Sequence, residues 1–291
     1  MTTLHSSARR GHSEGWLAKR VARFLGYSIL ITAGLFLFIP IFFLIVNALK
    51  VDSEFHTWPP TIFPSIPQWS NFVQIFQLTS FGDIVWRTFI LGLIYTIIST
   101  FMTSMVGLAF ARYQVPGSKR LYSIVIAMMF VPGMIFTIPQ FMIFARIHLT
   151  NTYWPWLIWS LFPGSMGIFL FRQFFMNFPK ELEEAAEMDG AGPWRIFIQI
   201  FLPNAKPVLA ISAIWSFSWV WSDYLTPLLF LSNEKTLLPV ALQQSFLRPS
   251  GQAYLTLTLA ANIIYMLPLI IAFFAAQNYI LKGVVTTGLK G

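Results

Sequence analysis

One acidic cluster interrupts an otherwise apolar chain, and its spacing suits an interaction with another protein. The cluster, Glu184-Ala-Ala-Glu-Met-Asp-Gly190, is followed by Ile200-Phe-Leu-Pro203. Carboxylates can form charge-assisted hydrogen bonds with a basic partner, and small alanine side chains allow that partner to come close. Gly190 tolerates the left-handed backbone that often ends a helix. The spacing therefore predicts a short helix in a polar loop, and we expect another protein to bind this helix.

Other kinds of chemistry find little support in the residues. The chain has no cysteine, which removes disulfides, thiolate metal sites and cysteine nucleophiles. Its four histidines lie in the tail or in loops, and the sequence contains neither a His-Glu-x-x-His metal motif nor a Gly-x4-Gly-Lys-Ser/Thr phosphate loop. A membrane-embedded enzyme is therefore a weak alternative. We expect no metal or other cofactor in this chain, and any ATP-driven step must depend on a separate subunit.

The elements that position the acidic cluster are predicted to be membrane helices. The residues are 56% hydrophobic and only 10% charged, which is typical of an integral membrane protein. Runs of about 20 apolar residues are needed to cross about 30 Å of hydrocarbon, and none alternates as a barrel strand would. The sequence predicts an all-α membrane protein with a basic tail over residues 1–23 and a transmembrane domain over 24–291. Its six spans lie at about 24–49, 86–112, 120–145, 152–174, 206–231 and 255–281.

The distribution of lysine and arginine predicts the orientation of these spans. Cytoplasmic segments of membrane proteins carry an excess of both residues. With both termini in the cytoplasm, five of the nineteen fall outside, namely Lys50, Arg87, Arg146, Lys235 and Arg248. The net charge of +8 is therefore a topology signal, and nucleic acid is not expected as a partner.

Two external segments are candidates for contact with the membrane surface or with a partner. Residues 51–86 contain Trp58-Pro-Pro, Phe63-Pro64 and Trp69, and this composition favours a loop that lies at the lipid headgroups. The alternative is a docking surface for an external protein. Residues 232–254 are the other candidate for that contact.

The cytoplasmic loop over residues 176–206 is predicted to contain two short helices. Pro179 and the glutamates after it are typical of a helix start, and Gly190 is typical of its end. Phe197, Ile200 and Phe201 then recur at helical spacing, which predicts a second short helix against the membrane. The simpler interpretation is an amphipathic loop whose acidic residues are merely solvated.

Asp223 is the main candidate for a transport pathway within the spans. It lies in an apolar run beside Tyr224 and close to Trp221. Polar groups inside membrane segments tend to face a bundle interior or water, and Asn262 is a weaker candidate on the same grounds. Aromatic rings with a carboxylate suit the faces and hydroxyl groups of a sugar. The alternative is that Asp223 pairs with a neighbouring helix or reaches the membrane interface.

The cytoplasmic loop resembles the signature loop of permease subunits of bacterial ABC importers. That pattern is Glu-Ala-Ala, three residues, Gly, nine residues, Ile-x-Leu-Pro, and every fixed position is present here. Asp189-Gly190-Ala191, Asp223-Tyr224 and the tail Tyr279-Ile-Leu-Lys-Gly283 resemble carbohydrate-type permeases in particular, such as the smaller subunit of maltose-like systems. The resemblance implies that the loop couples to an ATPase through Glu184, Ala185, Ala186, Asp189, Gly190, Ala191, Ile200, Leu202 and Pro203.

The resemblance also implies the assembly in which this chain works. Its fold would be the six-helix importer permease, in a bacterial cytoplasmic membrane, paired with a second, similar permease. Two ATP-binding subunits would hold ATP and Mg²⁺, and an extracytoplasmic binding protein would deliver a sugar, an oligosaccharide or a polyol phosphate. Alternating access would follow ATP binding and hydrolysis.

A different class of transporter remains as the alternative. An ion-coupled secondary transporter would work without an ATPase, but it is expected to carry several ionisable groups within its spans. Asp223 is the one such group that the sequence places inside a span, with Arg172 near a span end.

Overall fold

The residues that the structure describes are 7–78, 80–244, 246 and 254–288 of a computed structural model, and they form helices without strands. The α-helices, in chain order, are α1 (Ser7–Ala48), α2 (Asn71–Leu78), α3 (Phe81–Arg112), α4 (Ser118–Met128), α5 (Thr137–Arg146), α6 (Trp154–Ser160), α7 (Ser165–Met176), α8 (Lys180–Met188), α9 (Pro193–Ile196), α10 (Leu202–Asn204), α11 (Lys206–Trp221), α12 (Leu225–Phe230), α13 (Leu238–Gln244) and α14 (Leu255–Gly288). Turns of 3-10 helix occupy Asp52–His56, Gly133–Phe136 and Asn233–Lys235. A π-helical turn occupies Phe197–Phe201.

Four of the described helices are long and apolar enough to cross a membrane, and two bent pairs bring the count to at most six. The four are Lys19–Ala48, Phe81–Arg112, Trp154–Met176 and Leu255–Tyr279. The bent pairs are Ser118–Met128 with Gly133–Arg146, and Pro193–Asn204 with Lys206–Trp221. The all-helical prediction is confirmed for the described residues, and the described helices give between four and six candidate spans.

Three predicted spans are interrupted where the sequence places a continuous run, and the one over 152–174 breaks between α6 and α7. The run over 120–145 turns by 94° before Gly133. Pro132 lacks a backbone N–H and disfavours helical geometry at the residue before it, so the helix ends there. The run over 206–231 breaks after Trp221, and the Asp223 carboxylate then accepts a hydrogen bond from the Thr226 N–H at 3.1 Å in the first turn of α12.

The long helix α3 is the centre of the bundle. It packs against α7, α11 and α6, while α14 packs against α11 and α1. Buried side chains form three apolar clusters, of which one surrounds Trp221 and another surrounds Trp156. The third cluster lies beside the loop at 176–206 and contains Leu108, Phe171, Phe175, Ile196, Phe197, Phe201, Ala205 and Val208. The loop is therefore packed onto the ends of α3 and α7.

Helices α3 and α7 approach each other closely at two glycines. A Cβ atom on Gly107 would lie 2.4 Å from the Phe171 Cβ, and one on Gly167 would lie 2.6 Å from the Thr103 Cγ2. Real Cβ atoms do not come this close, so each contact requires glycine. Helices α3 and α7 are therefore in close contact at both Gly107 and Gly167.

We expect Gly107→Ala to lower the thermal stability of the protein. Overpacking a tight contact costs about 1 to 3 kcal/mol, which exceeds the gain in helix propensity of about 1 kcal/mol. The measurement is the apparent melting temperature of the purified protein in detergent. Gly26→Ala is the matched control, since Gly26 is also helical and a Cβ there meets no atom within 4 Å. Equal melting temperatures for the two variants would contradict the close approach.

The segment after α1 forms a loop whose two ends are joined by hydrogen bonds. The Asn71 side chain donates hydrogen bonds to the Ala48 carbonyl at 2.8 Å and to the Lys50 carbonyl at 3.0 Å. Within the loop, Trp58 is 90% exposed, and Phe63 and Trp69 are also largely exposed. The loop thus presents aromatic rings outward, as both interpretations of residues 51–86 require.

Candidate functional site

The acidic cluster forms the helix α8, as the sequence predicts. The helix runs from Lys180 to Met188, with Pro179 before it and Glu181 and Glu183 in its first turn. Negative charge is favourable at that position, because the unpaired N–H groups at a helix start carry a partial positive charge. The helix is thus defined by local sequence at its amino-terminal end.

Hydrogen bonding at the end of α8 explains the spacing between the alanines and the glycine. Gly190 has φ 77°, the left-handed conformation. Its N–H donates to the Glu187 carbonyl at 2.9 Å, and the Ala191 N–H donates to the Ala186 carbonyl at 2.9 Å. This pair of bonds is the Schellman motif, which usually includes an apolar contact between the same two outer residues. Ala186 and Ala191 both pack against the apolar cluster beside the loop, so each has a structural role.

The other residues predicted to couple to an ATPase divide into an exposed and a packed group. The exposed group presents atoms to solvent and consists of Glu184, Ala185, Asp189, Gly190 and Pro203. The packed group lies against the apolar cluster and consists of Ala186, Ala191, Ile200 and Leu202. The structure thus brings the predicted residues into one loop, but only the exposed group is available to a partner.

Met188 is an exposed apolar residue that the sequence reasoning missed. Its side chain is 88% exposed in the last turn of α8, one helical turn after Glu184. Residues four apart lie on the same face of a helix, so the spacing itself could have indicated it. The loop has two arms, which are α8 and residues 193–204. Trp194, at the start of the second arm, is 60% exposed. The solvent face of the loop therefore combines carboxylates with large apolar side chains, a composition suited to protein binding.

The second arm of the loop is a bent helix that leads into α11. It runs from Pro193 through the π-helical turn to Asn204, and it then bends by 84° at Ala205. Pro203 lacks an N–H, and the Asn204 side chain donates to the Ile200 carbonyl at 2.7 Å. The bend thus places the loop against the ends of the spans.

We expect Gly190→Val to weaken the function of the loop through its conformation alone. A β-branched residue at positive φ is strained by about 1 to 2 kcal/mol, and a Cβ at Gly190 meets no atom within 4 Å. The end of α8 would unwind, and recovery of a bound ATP-binding subunit in detergent would fall. Gly117→Val is the control, because Gly117 has φ 85° and equally open surroundings. Equal losses in both variants would contradict a specific role for α8.

A cleft of about 760 Å³ lies beside the break between α11 and α12. Asp223 and Tyr224 line it, as do aromatic side chains that the sequence reasoning did not place there, namely Tyr95 and Trp159. Trp219 is part of the same wall and stacks on Tyr95 with ring centroids 5.0 Å apart. The cleft therefore combines flat aromatic faces with one carboxylate.

The two carboxylate oxygens of Asp223 have different surroundings. Its Oδ1 accepts a hydrogen bond from the Thr226 N–H at the start of α12, a role that the sequence does not predict. Its Oδ2 is buried, and the carboxylate lies close to the buried Trp156 indole. A ligand hydroxyl group in the cleft could reach this oxygen only if the wall of the cleft moved.

The other two predicted pathway residues lie away from this cleft. Trp221 is fully buried, stacks on Phe217 and donates its indole N–H to the Tyr265 carbonyl at 2.9 Å. Asn262 donates to the Thr258 carbonyl at 2.8 Å within its own helix. Across the described part of the chain, no group of three or more histidine or acidic side chains could hold a metal ion.

The comparisons with known proteins decide the family. The model described as "Binding-protein-dependent transport system inner membrane component" matches residues 103–286, which is more than half of the chain. The chain belongs to this family. It is a membrane-spanning permease component of a binding-protein-dependent transport system and is not itself an enzyme. The resemblance inferred from the loop is confirmed.

Relatives of this permease align with it over most of their length. The arabinooligosaccharides transport system permease protein AraQ of Bacillus subtilis (strain 168) is 31% identical over 287 residues, covering 96% of this chain and 99% of AraQ. The maltodextrin transport system permease protein MdxG of the same organism is 30% identical over 225 residues, covering 76% and 80%.

A solved structure agrees with the fold of this permease. It is the crystal structure of a bacterial ABC transporter involved in the import of the acidic polysaccharide alginate. The TM-score is 0.73 at 19% identity, with 96% of this chain and 99% of that chain covered. The ABC importer permease fold is therefore confirmed.

Proposed function

We propose that this permease imports a carbohydrate and that a separate ATPase drives it through α8. The observation that most directly supports this proposal is the solvent face of the loop, where Glu184, Ala185 and Met188 are exposed on a helix fixed at both ends. A docking surface needs exposed apolar and charged groups on a rigid support, and α8 provides both.

The proposed assembly contains this chain, a second homologous permease and two ATP-binding subunits in a bacterial cytoplasmic membrane. ATP and Mg²⁺ belong to the ATP-binding subunits, since this sequence has no phosphate-binding loop. The excess of lysine and arginine in the loops supports cytoplasmic termini and six spans. An external binding protein is supported by the family and by a fold neighbour that was solved with a periplasmic protein bound to alginate pentasaccharide.

The carbohydrate assignment is supported by relatives and by the cleft. AraQ and MdxG are named for arabinooligosaccharides and maltodextrin, and the fold neighbour is described as an alginate importer. In this chain, the exposed part of the Trp219 indole can contact a sugar ring, and Asp223 lies in the same wall of the cleft. Asp223 and Tyr224 are therefore proposed pathway residues, together with Trp219 and Tyr95. We assign Trp221 and Asn262 to packing on the contacts described above.

Co-purification from the native membrane in mild detergent tests this function. We expect mass spectrometry to identify an ATP-binding subunit and a second permease, and ATP hydrolysis to rise when a sugar-loaded binding protein is added. Recovery of this chain alone, without ATPase activity in any detergent, would contradict the proposal. That result would favour the ion-coupled secondary transporter.

A further inference from the structure

The end of α3 holds the loop through an arginine that the proposed docking surface does not include. Arg112 is the last residue of α3, and its side chain is only 7% exposed. Its Nε lies 3.3 Å from the Glu183 Oε2 in the first turn of α8. Its Nη2 donates to the Phe178 carbonyl, just before α8, at 2.7 Å. Its guanidinium also lies 5.4 Å from the centroid of the Phe201 ring, in the second arm of the loop.

We infer that Arg112 is the positioning residue that transmits movement of α8 to the transmembrane helix α3. The inference rests on the proposed function, because it assumes that α8 receives the ATPase. A single planar guanidinium contacts both arms of the loop and the segment before α8, so these parts must move together with the end of α3. Arg112 itself is too deeply buried to serve as a docking residue.

Two adjacent glutamates of α8 have different surroundings and different roles. Glu184 is exposed and available to the ATPase, whereas Glu183 faces inward and is 20% exposed against Arg112. Burial and the negative charges of Glu183 and Glu187 raise the pKa of the neighbouring Tyr113 phenol, which agrees with α3 ending alongside α8. Glu184 therefore belongs to the partner interface, and Glu183 belongs to the internal linkage.

The path from Arg112 to the cleft is a continuous helix. Tyr95 lies 17 residues before Arg112 in α3, which corresponds to about 25 Å along the helix axis. At that end Tyr95 stacks under Trp219 in the wall of the cleft. At the other end, Gly107 and Gly167 hold α3 against α7, so the two helices move as one body. A displacement of α8 is therefore expected to reach the cleft through α3.

The test compares uptake per ATP hydrolysed in proteoliposomes that contain the complete transporter with its binding protein. We expect Arg112→Gln and Glu183→Gln to retain the bound ATP-binding subunit but to lower uptake per ATP by about tenfold. Glu184→Gln is expected to act differently, by reducing the amount of bound ATP-binding subunit. The exchanged pair Arg112→Glu with Glu183→Arg should recover more uptake per ATP than either charge reversal alone.

Arg172→Gln is the matched control. Arg172 also lies at the cytoplasmic end of the bundle, donates to the Phe110 carbonyl at 3.2 Å and stacks over the Tyr122 ring at 4.0 Å, but α8 is not among these contacts. We expect this variant to keep wild-type uptake per ATP.

The outcomes separate this inference from the proposed function. Wild-type uptake per ATP in Arg112→Gln and Glu183→Gln would overturn the linkage while leaving the ATP-driven importer intact. Absence of ATP-driven uptake in the wild-type transporter would overturn the proposed function itself. If Arg112→Gln fails to assemble, Glu183→Gln and the exchanged pair decide the question, because both are compared at equal bound ATP-binding subunit and a pair that only stabilises the fold would leave uptake per ATP unchanged.

Discussion

Replacing Met188 with glutamate should strongly weaken association of the ATP-binding subunit with this permease. Met188 is 88% exposed at the end of α8 and belongs to the proposed docking surface. A buried apolar contact of this kind contributes about 2 kcal/mol or more, and an unpaired charge in its place adds a desolvation cost. We therefore expect the affinity to fall at least about 30-fold, measured as ATP-binding subunit recovered with the purified permease.

Met188→Leu is the control for this result, because it keeps an apolar side chain of similar volume. It should retain nearly all of the bound ATP-binding subunit. The apparent melting temperature of the permease alone should be unchanged in both variants, since Met188 makes little contact with the rest of the chain. Full recovery of the subunit with Met188→Glu would contradict docking through α8.

Removing the indole of Trp219 should impair carbohydrate transport without impairing assembly. In the proposed cleft, Trp219 stacks on Tyr95 and contacts Trp159 edge to face, and the 46% of its side chain that stays exposed is available to a sugar ring. A central aromatic contact is commonly worth about 1 to 3 kcal/mol, so Trp219→Ala should lower carbohydrate uptake by about 5-fold to 150-fold at subsaturating concentration. The measurement is initial uptake of labelled carbohydrate, with ATP hydrolysis recorded in parallel.

Trp215→Ala is the matched control for the cleft. Trp215 lies one turn earlier on α11 and has the same 46% exposure as Trp219, but it does not line the cleft. We expect this variant to transport at nearly the wild-type rate. Equal losses in the two variants would indicate a general effect on α11 and would contradict the stacking role.

Local sequence is sufficient to predict the helix α8 but not the contacts that hold it. The end of α8 depends on Gly190 and on hydrogen bonds within six residues, so its position follows from spacing. The Arg112–Glu183 ion pair joins residues 71 positions apart, and a single sequence gives no signal for such a pair. Met188 lies one helical turn after Glu184, so the same spacing places it on the exposed face of α8.

For the transmembrane helices too, nearby residues predict where the helices lie, whereas tertiary contacts decide how they bend and pack. Apolar run length located the spans, whereas the 94° bend before Gly133 depends on how Pro132 is accommodated by its surroundings. Asp223, which the sequence singles out as a carboxylate in an apolar run, lies in the wall of the cleft. Trp221 packs in the core instead, because it lies within α11 whereas Asp223 lies in the break after that helix.

Uptake of a labelled carbohydrate into proteoliposomes tests the central claim most directly. The liposomes would contain the purified transporter, with ATP on the side of the ATP-binding subunits, loaded binding protein on the other side and ionophores to remove ion gradients. The account predicts uptake that requires both ATP and the binding protein. Uptake by this chain without the ATP-binding subunits, driven by a proton or sodium gradient and abolished by the ionophores, would contradict it.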